Sequence, residues 1–335
     1  MEYVTLGKTG LKISRLGFGG IPIQKVDATT TRKLIVAMAE KGINYIDTAR
    51  GYTVSESFLG EALEGYRDKF ILATKSMARD KAGMAADIET SLKNLRTDYI
   101  DIYQIHNPNL EQLEQVLAPG GALEALMEAK EAGKIGHIGL TGHTMGLFEK
   151  ALTLPWVETF MFPYNIVETQ GEELIHQCAE KNIGLIVMKP LAGGAIEDAN
   201  LALRFICANP DVSVVIPGMY DLKEIEMNLG AVEDTTPLSQ TELAKIDEIR
   251  EQLGSNFCRR CNYCQPCTAG INISGIFILQ GYLDRYGLGD WAKDRYATFP
   301  IKASSCIDCG VCETRCPYNL PIREMLKDAA KKFGY

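Results

Sequence analysis

Short apolar runs alternate with amphipathic stretches along the first 250 residues. The runs Arg15–Phe18, Tyr45–Asp47, Phe70–Lys75, Tyr99–His106, His137–Leu140, Thr159–Phe162, Gly184–Met188 and Ser213–Ile216 have the length and composition of strands. Between and after them, Thr29–Lys41, Ser55–Leu63, Ala85–Leu95, Ala122–Ala132, Gly146–Leu152, Glu172–Lys181, Asn200–Ala208 and Leu222–Leu229 repeat apolar residues three and four apart, which predicts helices. Glycine follows several helix ends, as at Gly42, Gly133 and Gly184. Eight such alternations predict an α/β chain folded as a (β/α)8 TIM barrel. A doubly wound sheet is the alternative, but it usually opens on G-x-G-x-x-G at its first strand–helix turn, and Leu16–Gly20 (LGFGG) does not fit that spacing. Ahead of the first strand, Tyr3–Leu6 and Leu11–Ile13 flank Gly7-Lys8-Thr9-Gly10 and read as a small hairpin plugging the barrel floor. Thr241–Leu253 predicts one more helix after the barrel.

From Asn256 the pattern changes. Two cysteine runs are separated by a 38-residue spacer, Thr268–Ser305, with helical patterns around Ile273–Tyr286 and Asp290–Thr298. A last amphipathic helix is expected over Ile322–Phe333. Eight of the ten cysteines lie in the last 78 residues. Charge changes in the same place. Residues 255–335 carry eleven Lys/Arg against seven Asp/Glu, whereas residues 1–254 carry 24 against 36. A boundary near Gly254–Ser255 follows, with a barrel domain over 1–254 and a second, mostly α-helical domain over 255–335. The net charge of −8 argues against a nucleic-acid partner. The N-terminus lacks the basic flank and apolar core of a signal peptide. Apolar stretches such as Ile276–Leu279 fall far short of the ~20 residues that span a bilayer. A cytoplasmic protein with no membrane partner is expected, and in that compartment clustered cysteines read as metal ligands or catalytic thiols.

The first run is Cys258-x2-Cys261-x2-Cys264-x2-Cys267 and the second is Cys306-x2-Cys309-x2-Cys312-x3-Cys316-Pro317. The second matches the bacterial ferredoxin pattern for a [4Fe–4S] cluster, in which three cysteines wrap one cubane and the fourth ligates the other. Pro317 forces the chain away after Cys316, and Gly310 allows close backbone approach. The assignment expected is Cys258, Cys261, Cys264 and Cys316 on one cluster, and Cys306, Cys309, Cys312 and Cys267 on the other. The first run departs from the pattern, with two residues before its last cysteine and Pro266 ahead of it. Zinc held by two C-x2-C pairs is the competing chemistry. Two such clusters with their thiolates carry about −4, which offsets the basic excess of this region. That excess also suits an acidic electron-carrier protein. Cys178 and Cys207 sit in helical patterns and read as buried small hydrophobes.

Barrel active sites lie at the C-terminal ends of the strands. There the sequence offers Asp47, Tyr52 just beyond it, Lys75 and His106, from three consecutive predicted strands. A free tyrosine has a pKa near 10. A neighbouring ammonium stabilises the phenolate and lowers that value. Lys75 could serve so, held charged by Asp47, while Tyr52 donates a proton to a carbonyl oxygen as hydride reaches its carbon. Neutral His106 could orient the same oxygen. With these residues in their motifs, Gly42-x-Asn44-Tyr45-Ile46-Asp47-Thr48-Ala49-x2-Tyr52, Leu72-Ala73-Thr74-Lys75 and Asp101-Ile102-Tyr103-Gln104-Ile105-His106, residues 1–253 resemble an aldo-keto reductase. Glu56 with Leu59-Gly60 also fits that family. The whole chain resembles the subgroup with a C-terminal ferredoxin-like domain. The resemblance implies that Asp47, Tyr52, Lys75 and His106 form the catalytic tetrad. It also implies a nicotinamide cofactor bound without a Rossmann fingerprint.

The cofactor contacts implied are Thr141 and Gly142 at the usual Ser-Asn pair, Met188 where an aromatic often stacks on the nicotinamide, and Pro217, Gly218 and Asn228 toward the pyrophosphate and adenine. Met161 replaces a common glutamine. Glu224 lies near the place where many relatives put an arginine for a 2′-phosphate, so NAD(H) is expected over NADP(H). The function expected is therefore nicotinamide-dependent reduction of a small-molecule aldehyde, ketone or sugar, or the reverse alcohol oxidation, beside two [4Fe–4S] clusters. A hydride carries two electrons and each cluster one, and no converting flavin motif is visible. The alternative is a redox-sensing or electron-transfer protein with a non-catalytic barrel.

Overall fold

The computed structural model describes residues 1–254, 256–260 and 262–334. Strands β1 (Tyr3–Thr5) and β2 (Lys12–Ser14) form an antiparallel hairpin. Eight further strands follow: β3 (Phe18–Gly19), β4 (Tyr45–Asp47), β5 (Ile71–Ser76), β6 (Ile100–Ile105), β7 (Ile135–Thr141), β8 (Thr159–Pro163), β9 (Gly184–Met188) and β10 (Val214–Val215). All are parallel and neighbours in chain order. Parallel bridges Leu16↔Val215 and Gly19↔Gly218 join the first of these strands to the last, so the sheet closes into a barrel. The (β/α)8 architecture implied by the alternation is the one observed. The two seam strands are shorter than the sequence pattern implies, because pairing there is reduced to two residues and isolated bridges.

Two apolar layers hold the barrel together. The larger lies between strands and surrounding helices and includes Phe18, Ile46, Leu72, Tyr103, Leu140, Phe160 and Val187. The smaller fills the interior with Tyr45, Ala73, Ile102, Met161, Ile186 and Val214. Leu6 and Ile13 of the hairpin join this interior cluster, and the Lys8 amide donates to the Asn182 carbonyl just ahead of β9. The hairpin thus closes the N-terminal end of the barrel. Several helices start at carboxylate or carboxamide caps. Asp27 accepts from Thr30 N, Asp80 from Gly83 N, Asp198 from Leu201 N and Asp221 from Glu224 N. One helix, Leu110–Leu117, was not expected from the apolar periodicity. Its signal is local, a capping box between Asn109 and Gln112.

By internal contacts the chain forms two compact units. The first comprises Met1–Asn165, Thr169–Pro190 and Asp198–Pro237. The second comprises Ile166–Glu168, Leu191–Glu197 and Leu238–Tyr335. The helix Gln240–Gly254 therefore groups with the second unit, although the charge change in the sequence comes only after it. Within this unit the helices Ile273–Asp284, Gly289–Ala297 and Ile322–Phe333 pack around Ile276, Tyr296, Leu326 and Phe333. The Tyr296 and Phe333 rings stack at 4.0 Å. Among the described residues, no helix is long and apolar enough to cross a membrane.

Candidate active site and cysteine centre

Side chains alternate along a strand, so residues two apart share a face. On β4, Tyr45 faces the interior cluster, which puts Asp47 on the same face one layer up. On β5, Ala73 and Lys75 repeat the arrangement. On β6, Ile102 is followed on that face by Gln104 and, just past the strand, by His106. The interior is thus apolar toward the hairpin and polar toward the C-terminal ends of the strands. Lys75 and Asp47 are each 2% exposed. The Lys75 ammonium is bonded to Asp47 Oδ1 and donates to the Thr48 carbonyl at 2.7 Å. Gln104 Nε2 donates to Asp47 Oδ2 at 3.0 Å. Burial raises the Asp47 carboxyl and lowers the Lys75 ammonium from their ordinary values, and each opposes the shift of the other.

Tyr52 follows β4 in the loop before the helix Ser55–Ala62. Lys75 Nζ lies 4.8 Å from the centre of its ring. The His106 ring meets Tyr52 edge-on, with centroids 6.1 Å apart and an interplanar angle of 88°. The four residues singled out in the sequence therefore converge.

A buried polar network lies behind them. Glu56, 1% exposed, accepts from Arg50, Thr74, Ser91 and Asn94 at 2.7–3.2 Å. Thr74 precedes Lys75, and the Arg50 amide donates to the Lys75 carbonyl at 3.0 Å. Glu56 thus ties the Tyr52 loop to β5 and to the helix Lys81–Asn94. Sequence reasoning missed this role, and it missed the grip of Gln104 on Asp47. The signal for Gln104 was present, as a carboxamide on the inward face of an otherwise apolar strand.

The expected cofactor contacts are dispersed along the rim. Thr141 ends β7, and its hydroxyl accepts from the Asn107 amide at 2.9 Å. Gly142 donates to the Met161 carbonyl, and a Cβ there would lie 2.7 Å from Leu147 and 3.1 Å from Phe160, so a larger residue would require the Leu147 side chain to shift. Met188 ends β9 and packs on the interior cluster, as does buried Met161. Pro217 is buried, and exposed Gly218 bridges Gly19 at the seam. Asn228 is buried on the helix Leu222–Glu233. At the start of that helix Glu224 accepts from the Tyr220 amide at 2.7 Å, and Asp221 accepts from the Glu224 amide at 2.9 Å. Two carboxylates thus already occupy this helix start.

The remaining histidines have other partners. His137 bonds Glu158 at 2.8 Å, His176 bonds Asp211 at 2.9 Å, and His143 bonds Asn107 at 2.9 Å. Burial pushes the Cys178 thiol up to about 12 and the Cys207 thiol up to about 11, which leaves both inert.

In the second unit, Cys267, Cys306, Cys309 and Cys312 line one pocket together with Thr268 and Gly310. Cys267 is the last cysteine of the first run and the others open the second. Gly310 has φ +74°, a left-handed conformation that turns the backbone between Cys309 and Cys312. The Val311 amide and the Thr268 hydroxyl, 3.6 Å from Cys309 Sγ, pull the Cys309 thiol below its ordinary pKa. Four thiols around one hollow fit an iron–sulfur cubane. Cys258, Cys264 and Cys316 pack on the core of the same unit. Cys261, the remaining expected ligand, lies outside the described residues. Beside Cys258, buried Arg260 is ion-paired with buried Glu168. Arg259 stacks over the Tyr318 ring at 3.9 Å.

Comparison with known proteins agrees with both parts. The sequence matches the aldo/keto reductase family over residues 15–201 and 196–251, and a 4Fe-4S dicluster domain over residues 257–321. The second match favours iron–sulfur over zinc. L-galactose dehydrogenase of Arabidopsis thaliana is 28% identical over 306 residues, covering 75% of this chain and 95% of that protein. Protein tas of Escherichia coli (strain K12) is 30% identical over 345 residues, covering 75% and 98%. The solved structure of aldo-keto reductase AKR11C1 from Bacillus halodurans (holo form) has a TM-score of 0.64 and 27% identity, over 74% of this chain and 96% of that one.

Proposed function

This chain belongs to the aldo/keto reductase family and carries a 4Fe-4S dicluster domain, and on that premise we propose that its barrel reduces the carbonyl group of a small molecule, or oxidises the corresponding alcohol, with Tyr52 as the proton donor. The observation that carries this reading is the convergence of Lys75, Tyr52 and His106 above a buried Asp47. A bound nicotinamide supplies or accepts the hydride. Tyr52 gives its phenolic proton to the carbonyl oxygen, and the charge left on its oxygen is stabilised by the ammonium of Lys75. Asp47 holds that ammonium in place through one carboxylate oxygen, while Gln104 occupies the other. The His106 imidazole orients the substrate oxygen. Glu56 positions the Tyr52 loop.

Thr141, Gly142 and Met188 would hold the nicotinamide, and Pro217, Gly218 and Asn228 would hold the rest of the cofactor. NAD(H) is the partner this rim favours, because Glu224 and Asp221 at the adjoining helix start would repel a 2′-phosphate. The second unit holds two [4Fe–4S] clusters, one on Cys306, Cys309, Cys312 and Cys267 and one on Cys258, Cys261, Cys264 and Cys316. When bound, these clusters exchange single electrons. The protein acts in the cytoplasm, and its clusters serve an electron-carrier protein.

The test is anaerobic purification, iron and sulfide counting, and turnover of an aldehyde, ketone and sugar panel with NADH and NADPH. About eight irons per chain are expected. Tyr52→Phe should lose about 10²–10⁴-fold in carbonyl reduction while still binding nicotinamide. Equal turnover in Tyr52→Phe would remove Tyr52 from its role. Nicotinamide binding with no turnover of any carbonyl would favour a sensing or electron-transfer protein.

A further inference from the structure

The loop after β5 carries an arginine whose charge is uncompensated among the described residues. Met77–Asp80 is pinned against the start of the helix Ala122–Glu131. Ala122 N donates to the Arg79 carbonyl at 3.0 Å, Lys81 N donates to the Gly120 carbonyl at 2.8 Å, and Asp80 bridges Gly121. From this fixed loop the Arg79 guanidinium reaches the end of β6. Its Nη2 donates to the backbone carbonyl of His106 at 2.9 Å, and a long contact of 3.4 Å joins Nη1 to the Ala78 carbonyl. Its Nε–H is buried and has no hydrogen-bond partner among the described residues. Several other arginines of the barrel unit are ion-paired. Arg50 pairs with Glu56 and Asp87, Arg67 with Asp101, Arg96 with Glu61 and Arg204 with Asp234. Burial alone pulls the Arg79 pKa down to about 10. A half-buried guanidinium with a spare donor and no counter-charge favours an incoming oxyanion.

We propose that Arg79 is a specificity-determining residue that binds a carboxylate on the carbonyl substrate, so that the physiological substrate is an acidic aldehyde or ketone. The inference rests on the reading that Tyr52 and His106 form the reaction site, because Arg79 is attached to the carbonyl of His106 itself. A planar carboxylate accepts two parallel bonds from one guanidinium, which fixes distance and orientation together. The loop is already held by its backbone bridges, so little ordering remains to be done on binding.

The test uses the anaerobically purified holoprotein with 4-carboxybenzaldehyde and 4-methylbenzaldehyde, which are similar in shape and differ in charge. The wild type should prefer the acid by about 10–100-fold in kcat/KM. Arg79→Met should abolish the preference by raising KM for the acid alone, with kcat and the neutral substrate unchanged within about threefold. Arg79→Lys, which keeps the charge without the fork, should retain part of it. An Arg79→Met variant that slows both aldehydes alike would overturn the proposal, as would a wild type that does not distinguish them. If the wild type turns over neither aldehyde, the proposed reaction fails separately. Calorimetric titration with 4-carboxybenzyl alcohol then decides on Arg79. Binding lost in Arg79→Met supports the site, and equal binding, or none to the wild type, overturns it.

Discussion

The two units each bury an ion pair, and the pairs differ in what surrounds them. In the barrel, Lys75 and Asp47 form a nearly closed set. Thr48 takes a second ammonium bond and Gln104 takes the second carboxylate oxygen. In the second unit, Arg260 and Glu168 are also buried, but Cys258, an expected cluster ligand, is close enough to act on Arg260. Burial opposes the Arg260 charge, and the Glu168 carboxylate and the Cys258 sulfur more than restore it. Several expected cluster cysteines also belong to, or pack on, the apolar core of that unit. The barrel pair is enclosed by side chains of its own fold, whereas the pair of the second unit borders an expected cluster cysteine, and in thiol-rich units of this kind metal binding is coupled to folding.

That contrast can be broken most strongly at a proposed cluster ligand. Cys309→Ala should lower iron from about eight to about four per chain and make residues 238–334 sensitive to proteolysis, while the barrel signal in circular dichroism stays. A barrel that melts with the cluster would erase the distinction. Next in size is Lys75→Met. It leaves Asp47 buried and uncompensated, and should destabilise the barrel by about 3–5 kcal/mol, read as a lower unfolding midpoint with iron content unchanged. Retained stability would mean that Asp47 takes up a proton at little cost.

Glu158 offers a smaller, pH-dependent test within the barrel. Burial opposes its ionisation, yet bonds from His137, Lys130 and the Ile138 amide hold its pKa at about 2. Its folded pKa lies below the ordinary glutamate value of 4.5. The stability it contributes is therefore complete above pH 4.5 and is lost as pH falls toward 2. Glu158→Gln should cost roughly 1–3 kcal/mol at neutral pH and flatten the acid limb of the stability profile. An unchanged limb would place acid sensitivity elsewhere. The mildest change is Gly310→Ala, where φ is +74°. It should cost about 1–2 kcal/mol, visible as faster iron loss to a chelator, and equal loss rates would show that the turn tolerates a side chain.

Much of this was legible along the chain. The alternation of strands and helices identified the barrel because each element carries its own period. Asp47, Lys75 and His106 stood out because strand ends in such barrels carry chemistry. Less legible were residues whose meaning depends on a distant partner. Glu56 looks like an ordinary helix-start acid until Thr74, Ser91 and Asn94 are seen to converge on it. Arg79 looks like a surface charge until its Nη2 is seen on the His106 carbonyl and its buried Nε–H is found without a partner among the described residues.

The sequence by itself determined most of the element types and nominated the reactive residues and the cysteine chemistry, since propensity, periodicity and Cys-x2-Cys spacing are local. Only the tertiary structure decided which of those residues meet. It brought Cys267 to Cys306, Cys309 and Cys312 around one pocket, closed the barrel through Leu16 and Val215, and counted Ile166–Glu168 and Leu191–Glu197 with the second unit rather than the first. Such contacts join residues far apart along the chain. They are set by how buried faces pack, which no local window of sequence contains.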